Sequence, residues 1–194
     1  MRIYILIAAA ALALAACAPT KEPFHATDLS GTPLGGPLAL ADHAGKARTL
    51  ADFKGKVVIL FFGYTQCPDV CPTNMAAMAR VMELLGAQDA ARVQVLFVTV
   101  NPERDTAELL AQYVPSFNPS FLGLVGTPAQ IDAIAKEFRI FFKKQPGATP
   151  TTYTVDHSAG SYVYDPKGAL RLYLKHGDAP DKIAADVRRL LAGE

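Results

Sequence analysis

The spacing of apolar residues changes along the chain, and each change marks a predicted element. Residues 57–63 (VVILFFG) are continuously apolar, which is typical of a strand covered on both faces. Residues 92–100 (RVQVLFVTV) predict a second strand. Between them a helix is predicted from Pro72, with an apolar stripe at Met75, Met78, Ala79, Met82 and Leu85. We therefore expect strand, helix and strand, with the first strand central and parallel.

The next part of the chain predicts two further helices. Asp105 and Glu108 have the spacing of a capping box, for a helix that ends near Val114. Thr127 followed by Pro128 is a second helix start. The buried stripe of that helix is predicted to contain Ile131, Ile134, Ala135 and Phe138.

Hairpins are predicted at both ends of this region. Residues 38–50 contain two short apolar pieces around Gly45, and residues 161–174 alternate around a turn at 165–168. A loop is expected at residues 143–156. A last helix is predicted from Pro180, with an inward-facing apolar stripe at Ile183, Val187, Leu190 and Leu191. The resulting order predicts an α/β class: a thioredoxin-like fold with a mixed central sheet, flanking helices and an N-terminal β-hairpin extension.

The start of the chain is typical of an exported protein. An apolar run of fourteen residues precedes Cys17 and, as a helix, would reach about 21 Å, which is short of the bilayer's roughly 30 Å of hydrocarbon. Its last residues, LAAC, resemble a bacterial lipobox. We therefore expect a signal peptide at 1–16, a lipidated N-terminus and tether at 17–37, and one domain at 38–194, anchored to the membrane in the periplasm by lipid on Cys17.

Composition narrows the possible functions. A chain of 194 residues with 51% hydrophobic residues is long enough for one good core, which favours a single folded domain. Its formal net charge of +1 argues against a nucleic-acid partner.

Two cysteines stand where the first predicted strand gives way to the first helix. With Pro72 at the first helical position, Cys71 would cap the helix and Cys67 would lie in the preceding turn. Unpaired N–H groups at a helix start favour thiolate over thiol. The three intervening residues allow a disulfide, and they also allow both sulfurs to bind one soft metal ion such as Cu(I).

A histidine would complete such a site and allow it to hold Cu(II) as well. In a thioredoxin-like layout, the loop that leads into the strand at 161 faces the start of the first helix, so His157 is the predicted third ligand. Asp156 is a candidate to orient the imidazole or to offer a weak axial oxygen, although adjacent side chains in an extended segment point apart. The other histidines are predicted to be solvated or capping: His25, His43 and His176.

Four motifs in order, YTQCPDVCPT, NPERDT, FLGLVGT and VDHS, resemble the Sco/SenC family of copper-binding assembly proteins for cytochrome c oxidase. The resemblance implies that Cys67, Cys71 and His157 bind one copper ion. It also implies that the protein delivers copper to the dinuclear copper site of oxidase subunit II, or reduces the cysteines of that site. An upstream periplasmic copper donor and a membrane-tethered domain follow from the same resemblance.

Two other classes of function stay open at this point. The leading interpretation is a metal-transfer protein that is not an enzyme, with a secondary thiol–disulfide reductase activity allowed. The alternative is a thiol:disulfide oxidoreductase that uses Cys67 and Cys71 without metal and needs no histidine. A structural lipoprotein with an incidental disulfide would respond to neither copper nor reductants.

Overall fold

The structure is a computed structural model that describes residues 22–149 and 152–194. The strands in chain order are β1 (Thr27–Asp28), β2 (Ala39–Asp42), β3 (Ala47–Thr49), β4 (Val57–Gly63), β5 (Val93–Thr99), β6 (Leu122–Val125), β7 (Phe142–Gln145), β8 (Thr154–His157), β9 (Ser161–Tyr164) and β10 (Leu170–Leu174). The helices are α1 (Val70–Ala90), α2 (Ala107–Tyr113), α3 (Pro128–Glu137) and α4 (Pro180–Leu191), with a short 3-10 helix at Leu50–Phe53.

The main sheet is mixed, with strand order β1-β10-β9-β4-β5-β6-β2-β3. Strand β4 is central, as predicted, and all seven of its residues are buried. It pairs in parallel with β5, where Ile59 lies opposite Val95, and antiparallel with β9, where Ile59 lies opposite Val163. The prediction of a parallel strand therefore holds on one edge only. The predicted α/β class and thioredoxin-like layout are confirmed.

Helices α1 and α4 pack against each other, and α2 packs against β6. Met75 of α1 is fully buried, which confirms its predicted place in the core. The buried residues of α4 include the predicted apolar stripe: Ile183, Val187, Leu190 and Leu191. Because α4 packs on β4, whose residues are all buried, the residues that follow β4 emerge at the edge of a rigid layer.

Two predicted helix starts are wrong by one or two residues. Helix α1 begins at Val70 after the cap Asp69, so Cys71 lies inside the first turn. The first N–H groups of a helix have no partner within the helix, so proline is tolerated at several positions of the first turn. Pro72 therefore does not mark the first residue of α1. Helix α2 is capped by Thr106, whose Oγ1 accepts from the Leu109 N–H at 3.2 Å.

The prediction of a loop over the whole of residues 143–156 is wrong, because a strand forms at each end of this segment. Strands β7 and β8 form a two-stranded antiparallel ribbon outside the main sheet. Strand β6 was not predicted at all. Both misses have the same reason: FKKQ and LGLV are short and lack the alternation that marks a longer strand.

The two predicted hairpins are confirmed. Strands β2 and β3 pair around Gly45, whose φ of 81° suits a residue without a side chain. Strands β9 and β10 pair across the predicted second turn. The N-terminal hairpin joins the main sheet because β2 pairs with β6.

The first described residues pack onto the domain. Strand β1 pairs with β10, and the Asp186 carboxylate accepts the N–H groups of His25 and Ala26 at 3.1 and 2.8 Å. The predicted signal peptide and Cys17 lie outside the described residues. Within residues 22–149 and 152–194, no helix is both long enough and apolar enough to cross a bilayer.

Candidate metal centre

The two cysteines lie where β4 passes into α1. Cys71 is in the first turn of the helix and is fully buried, whereas Cys67 lies in the preceding turn and is half-buried. The Cys71 N–H, which has no partner within the helix, points at the Cys67 sulfur at 3.4 Å. Both cysteines are free thiols.

Gly63 makes room for the buried sulfur. A side-chain carbon at this position would lie 2.7 Å from Cys71 Sγ and 3.0 Å from a ring carbon of Phe97. Real Cβ atoms do not approach that closely, so the end of β4 must lack a side chain for the sulfur to rest against the strand.

His157 ends β8 and reaches both sulfurs. Its Nε2 lies 3.3 Å from Cys71 Sγ and 3.9 Å from Cys67 Sγ, and the three ligand atoms all lie within 4.8 Å of one another. Its Nδ1 lies 3.0 Å from the Ser158 carbonyl oxygen. Since a carbonyl only accepts, Nδ1 carries the proton and Nε2 directs its lone pair toward the sulfurs.

The surroundings of the imidazole are apolar. The rings of Phe61 and Tyr64 meet the His157 ring edge-on, at centroid distances of 6.1 and 5.7 Å. The Tyr64 hydroxyl accepts the Val155 N–H at 3.2 Å, which ties β8 to the residue after β4. Burial lowers the pKa of His157, against the opposing effects of the Ser158 carbonyl and the Asp156 charge, so the ring is neutral and able to bind a metal.

Burial raises the pKa of Cys71, and its own neighbour Cys67 adds to this effect. The expected stabilisation of the thiolate by the helix start is therefore outweighed at Cys71, because its sulfur is cut off from water. A bound cation would supply the positive charge that the protein does not, since a metal-bound thiol loses its proton.

Asp156 does not take the predicted position beside the imidazole. Its carboxylate accepts from Gln145 Nε2 at 2.6 Å. Nδ1 of His157 donates instead to the Ser158 carbonyl oxygen. Adjacent residues of a strand point to opposite sides, and Asp156 acts on the ring only through its charge.

Asp105 is a residue of the site region whose position the sequence did not reveal. It is fully buried, and its carboxylate accepts from the Thr65 N–H, the Thr65 hydroxyl and the Thr99 hydroxyl at 3.0, 2.7 and 2.6 Å. Thr65 lies two residues before Cys67, so this carboxylate holds the cysteine turn. The sequence signal, an acid just before a helix, predicts a helix cap and does not reveal this role.

The site is open to solvent on one side. A cavity of about 420 Å³ is lined by residues that include Tyr64, Cys67, Asp69, Val155 and His157. Two sulfurs and one imidazole nitrogen are a soft donor set that fits Cu(I), and Cu(II) when the imidazole takes part. Among the described residues only these three form a possible cluster of metal ligands, one fewer than a closed zinc site needs.

Comparisons with known proteins agree with this geometry. The family model described as SCO1/SenC matches residues 26–192. The mitochondrial SCO2 homolog of Bos taurus is 39% identical over 158 residues, which cover 81% of this chain and 59% of the relative. The chain thus spans a little over half the length of that relative.

Two solved structures with similar folds match this chain over nearly the whole of their own length. Bradyrhizobium japonicum ScoI with copper bound is 40% identical with a TM-score of 0.75, covering 81% of this chain and 99% of that chain. Apo Sco1 from Thermus thermophilus is 40% identical with a TM-score of 0.77, covering 88% of this chain and 99% of that chain. The resemblance predicted from the four motifs is confirmed, and the chain belongs to the SCO1/SenC family.

Proposed function

We propose that this protein is a copper metallochaperone that binds one copper ion through the sulfurs of Cys67 and Cys71 and through Nε2 of His157. The observation that carries the proposal is the convergence of these three atoms within 4.8 Å of one another. Two thiolates suit Cu(I), and the added imidazole suits Cu(II). The copper-bound structure of a relative at 40% identity supports the same metal.

Copper transfer by ligand exchange fits the unequal exposure of the two sulfurs. Cys67 is half-buried at the cavity mouth, where a partner's thiol or imidazole can approach a copper ion bound there. Cys71 is fully buried and would release its bond last. His157 supplies a neutral nitrogen that leaves the metal without needing to gain a proton.

The proposed partners follow from family membership. The acceptor is subunit II of cytochrome c oxidase, at its dinuclear copper site, and the supplier is an upstream periplasmic copper donor. We further propose that residues 1–16 are a signal peptide and that lipid on Cys17, followed by the N-terminal segment to residue 37, anchors the domain at 38–194 to the membrane on its periplasmic side. The lipobox and the preceding apolar run support the anchor.

Anaerobic titration of the reduced soluble domain with copper tests the function. We expect saturation at one equivalent of Cu(II), a strong sulfur-to-copper charge-transfer band, and an EPR spectrum with nitrogen coupling from the imidazole. Saturation without a charge-transfer band would place copper away from the thiolates and contradict the proposal.

A second candidate function, thiol:disulfide oxidoreductase, is favoured by the two free and neighbouring thiols. The Cys67 thiolate would attack a partner protein's disulfide and release one partner thiolate. Cys71 would then attack the mixed disulfide, so that the pair is oxidised by two electrons and the partner is reduced to two thiols. Exchange in copper-free protein at a rate that His157→Ala leaves unchanged would support this function.

A further inference from the structure

His157 is followed by a short connection that contacts two separate parts of the fold. Strand β8 belongs to the two-stranded ribbon, so the main sheet does not hold it directly. The chain then turns through residues 158–160 into β9. At Gly160 the backbone lies so close to Tyr173 that a side-chain carbon would come within 2.1 Å of the tyrosine ring. This contact fixes the turn on the side of β10.

The other side of the same turn is fixed to the helix that carries Cys71. Asn74 lies one turn of α1 after Cys71 and is 8% exposed. Its Nδ2 donates to the Ala159 carbonyl oxygen at 2.8 Å. A hydrogen bond therefore joins the cysteine helix to the connection that follows His157, two residues beyond the imidazole.

A third element fixes the direction of the Asn74 amide. Nδ1 of His176, in the connection between β10 and α4, lies 2.7 Å from Asn74 Oδ1. Because the Ala159 carbonyl only accepts, the amide nitrogen must face it, and the amide oxygen is then free to accept from the His176 Nδ1–H. His176 therefore stabilises this amide orientation over the reversed one, which would place two oxygens against each other at Ala159. Without His176, one of the two contacts that favour the observed orientation is lost.

We propose that Asn74 is a positioning residue for the metal ligand His157, and that His176 fixes the orientation of the Asn74 amide. The proposal rests on the proposed copper site and names two residues that contact no ligand atom. Their effect is to hold the imidazole at its distance from the two sulfurs, since a ligand that is already in place loses less freedom when the metal binds.

Substitutions at Asn74 separate the two contacts. Asn74→Ala removes both, whereas Asn74→Asp keeps an oxygen for His176 and loses the donor to Ala159. We expect each variant to bind Cu(II) about tenfold more weakly than the parent and to shift the sulfur-to-copper absorption band. His176→Ala should also weaken Cu(II) binding, but by less, about threefold.

Matched controls come from hydrogen bonds made by residues other than those around His157. Gln94 Nε2 donates to the Ser120 carbonyl oxygen at 2.7 Å, which is the same type of bond between an amide and a backbone oxygen. His43 Nδ1 accepts from the Gly123 N–H at 3.1 Å, which makes it a second bonded histidine. Gln94→Ala and His43→Ala should lower the melting temperature as Asn74→Ala and His176→Ala do, but leave Cu(II) affinity and the absorption band unchanged.

Amide hydrogen exchange of the reduced, metal-free protein gives a readout that needs no copper. We expect exchange at residues 158–160 to rise about tenfold in Asn74→Ala and to stay at the parent rate in Gln94→Ala. Equal exchange in the two variants would overturn the positioning role, whatever the parent does with copper.

A parent that binds no copper, together with faster exchange in Asn74→Ala, would instead refute the proposed function and keep the positioning role. Copper affinity that falls equally in Asn74→Ala and Gln94→Ala would also overturn the proposal.

Discussion

At the scale of single residues, each ligand candidate of the site has its own surroundings. Cys71 is sealed between α1 and the end of β4, whereas Cys67 lines the open cavity. His157 lies between them, with a neutral ring whose proton is held on Nδ1 by the Ser158 carbonyl. The site therefore has one sulfur suited to retention and one suited to exchange.

The three ligand candidates should each be needed for tight binding. We expect Cys67→Ala, Cys71→Ala and His157→Ala to weaken Cu(II) binding by more than about tenfold, or about 1.4 kcal/mol, in competition titrations with a chelator. His43→Ala is the matched histidine control, because its ring accepts from the backbone N–H of Gly123 in β6. Unchanged affinity in the histidine variant would reduce the centre to a pair of thiols.

The lowered pKa of His157 makes stability depend on pH. Burial holds this pKa below the ordinary value of 6.5, so the unfolded chain takes up a proton first as the pH falls. The stability is fully present above pH 6.5 and is lost as the pH drops toward the folded-state pKa. We expect reduced, metal-free protein to lose more unfolding free energy between about pH 7.5 and about pH 5.5 than His157→Gln does, in urea titrations. Equal losses in the two proteins would contradict this prediction.

At the scale of elements, the cysteine turn depends on a neighbouring segment for its shape. The turn follows β4, and Thr65 within it is bonded by both its N–H and its hydroxyl to the Asp105 carboxylate, which lies before α2. The same carboxylate accepts from Thr99 at the end of β5. A single buried charge thus joins the ends of two adjacent parallel strands.

Removal of this carboxylate should be costly, because it leaves three donors without an acceptor, two on the half-buried Thr65 and one on the buried Thr99. We expect Asp105→Ala to lower the free energy of unfolding by about 3 kcal/mol in urea titrations. Asp132→Ala removes an exposed carboxylate from α3 and is expected to change stability by about 0.5 kcal/mol or less. A loss at Asp105 no larger than at Asp132 would show that the carboxylate does not hold the turn.

The elements that could be predicted from the sequence are those with a strong period. Strand β4 and the stripe of α4 are long enough for their burial pattern to identify them. Strand β7 reads FKKQ, with two exposed lysines, and among the described strands it pairs only with β8. Its strand structure comes from backbone hydrogen bonds to residues 9 to 15 positions later in the chain, which a polar pattern does not reveal.

At the scale of the whole molecule, the first described residues are tied to the last helix. Arg189 of α4 donates to the backbone oxygens of Glu22 and Pro23, and its guanidinium lies 4.2 Å from the centre of the Phe24 ring. Five residue steps separate Cys17 from Glu22, a span of at most about 18 Å. With lipid on Cys17 as proposed, the surface formed by Glu22, Pro23 and Arg189 would thus lie close to the membrane.

The anchor is tested by a change at its proposed attachment point. We expect the full chain to be recovered in the membrane fraction and Cys17→Ser in the soluble fraction, with the lipid mass absent from the variant by mass spectrometry. Cys67→Ala is the matched cysteine control and should stay with the membrane. Recovery of Cys17→Ser in the membrane fraction would point to an anchor other than lipid.

The sequence by itself determined the α/β class, the central strand, the two thiols at a helix start and the family, because these depend on local periods and on motifs at fixed intervals. Only the tertiary structure decided that His157 lies 3.3 Å from Cys71, that Asp105 holds the cysteine turn, and that Asn74 and His176 reach the histidine's connection. These contacts join residues 40 to 102 positions apart. Such distances are closed by packing of the sheet and helices, and no local pattern records them.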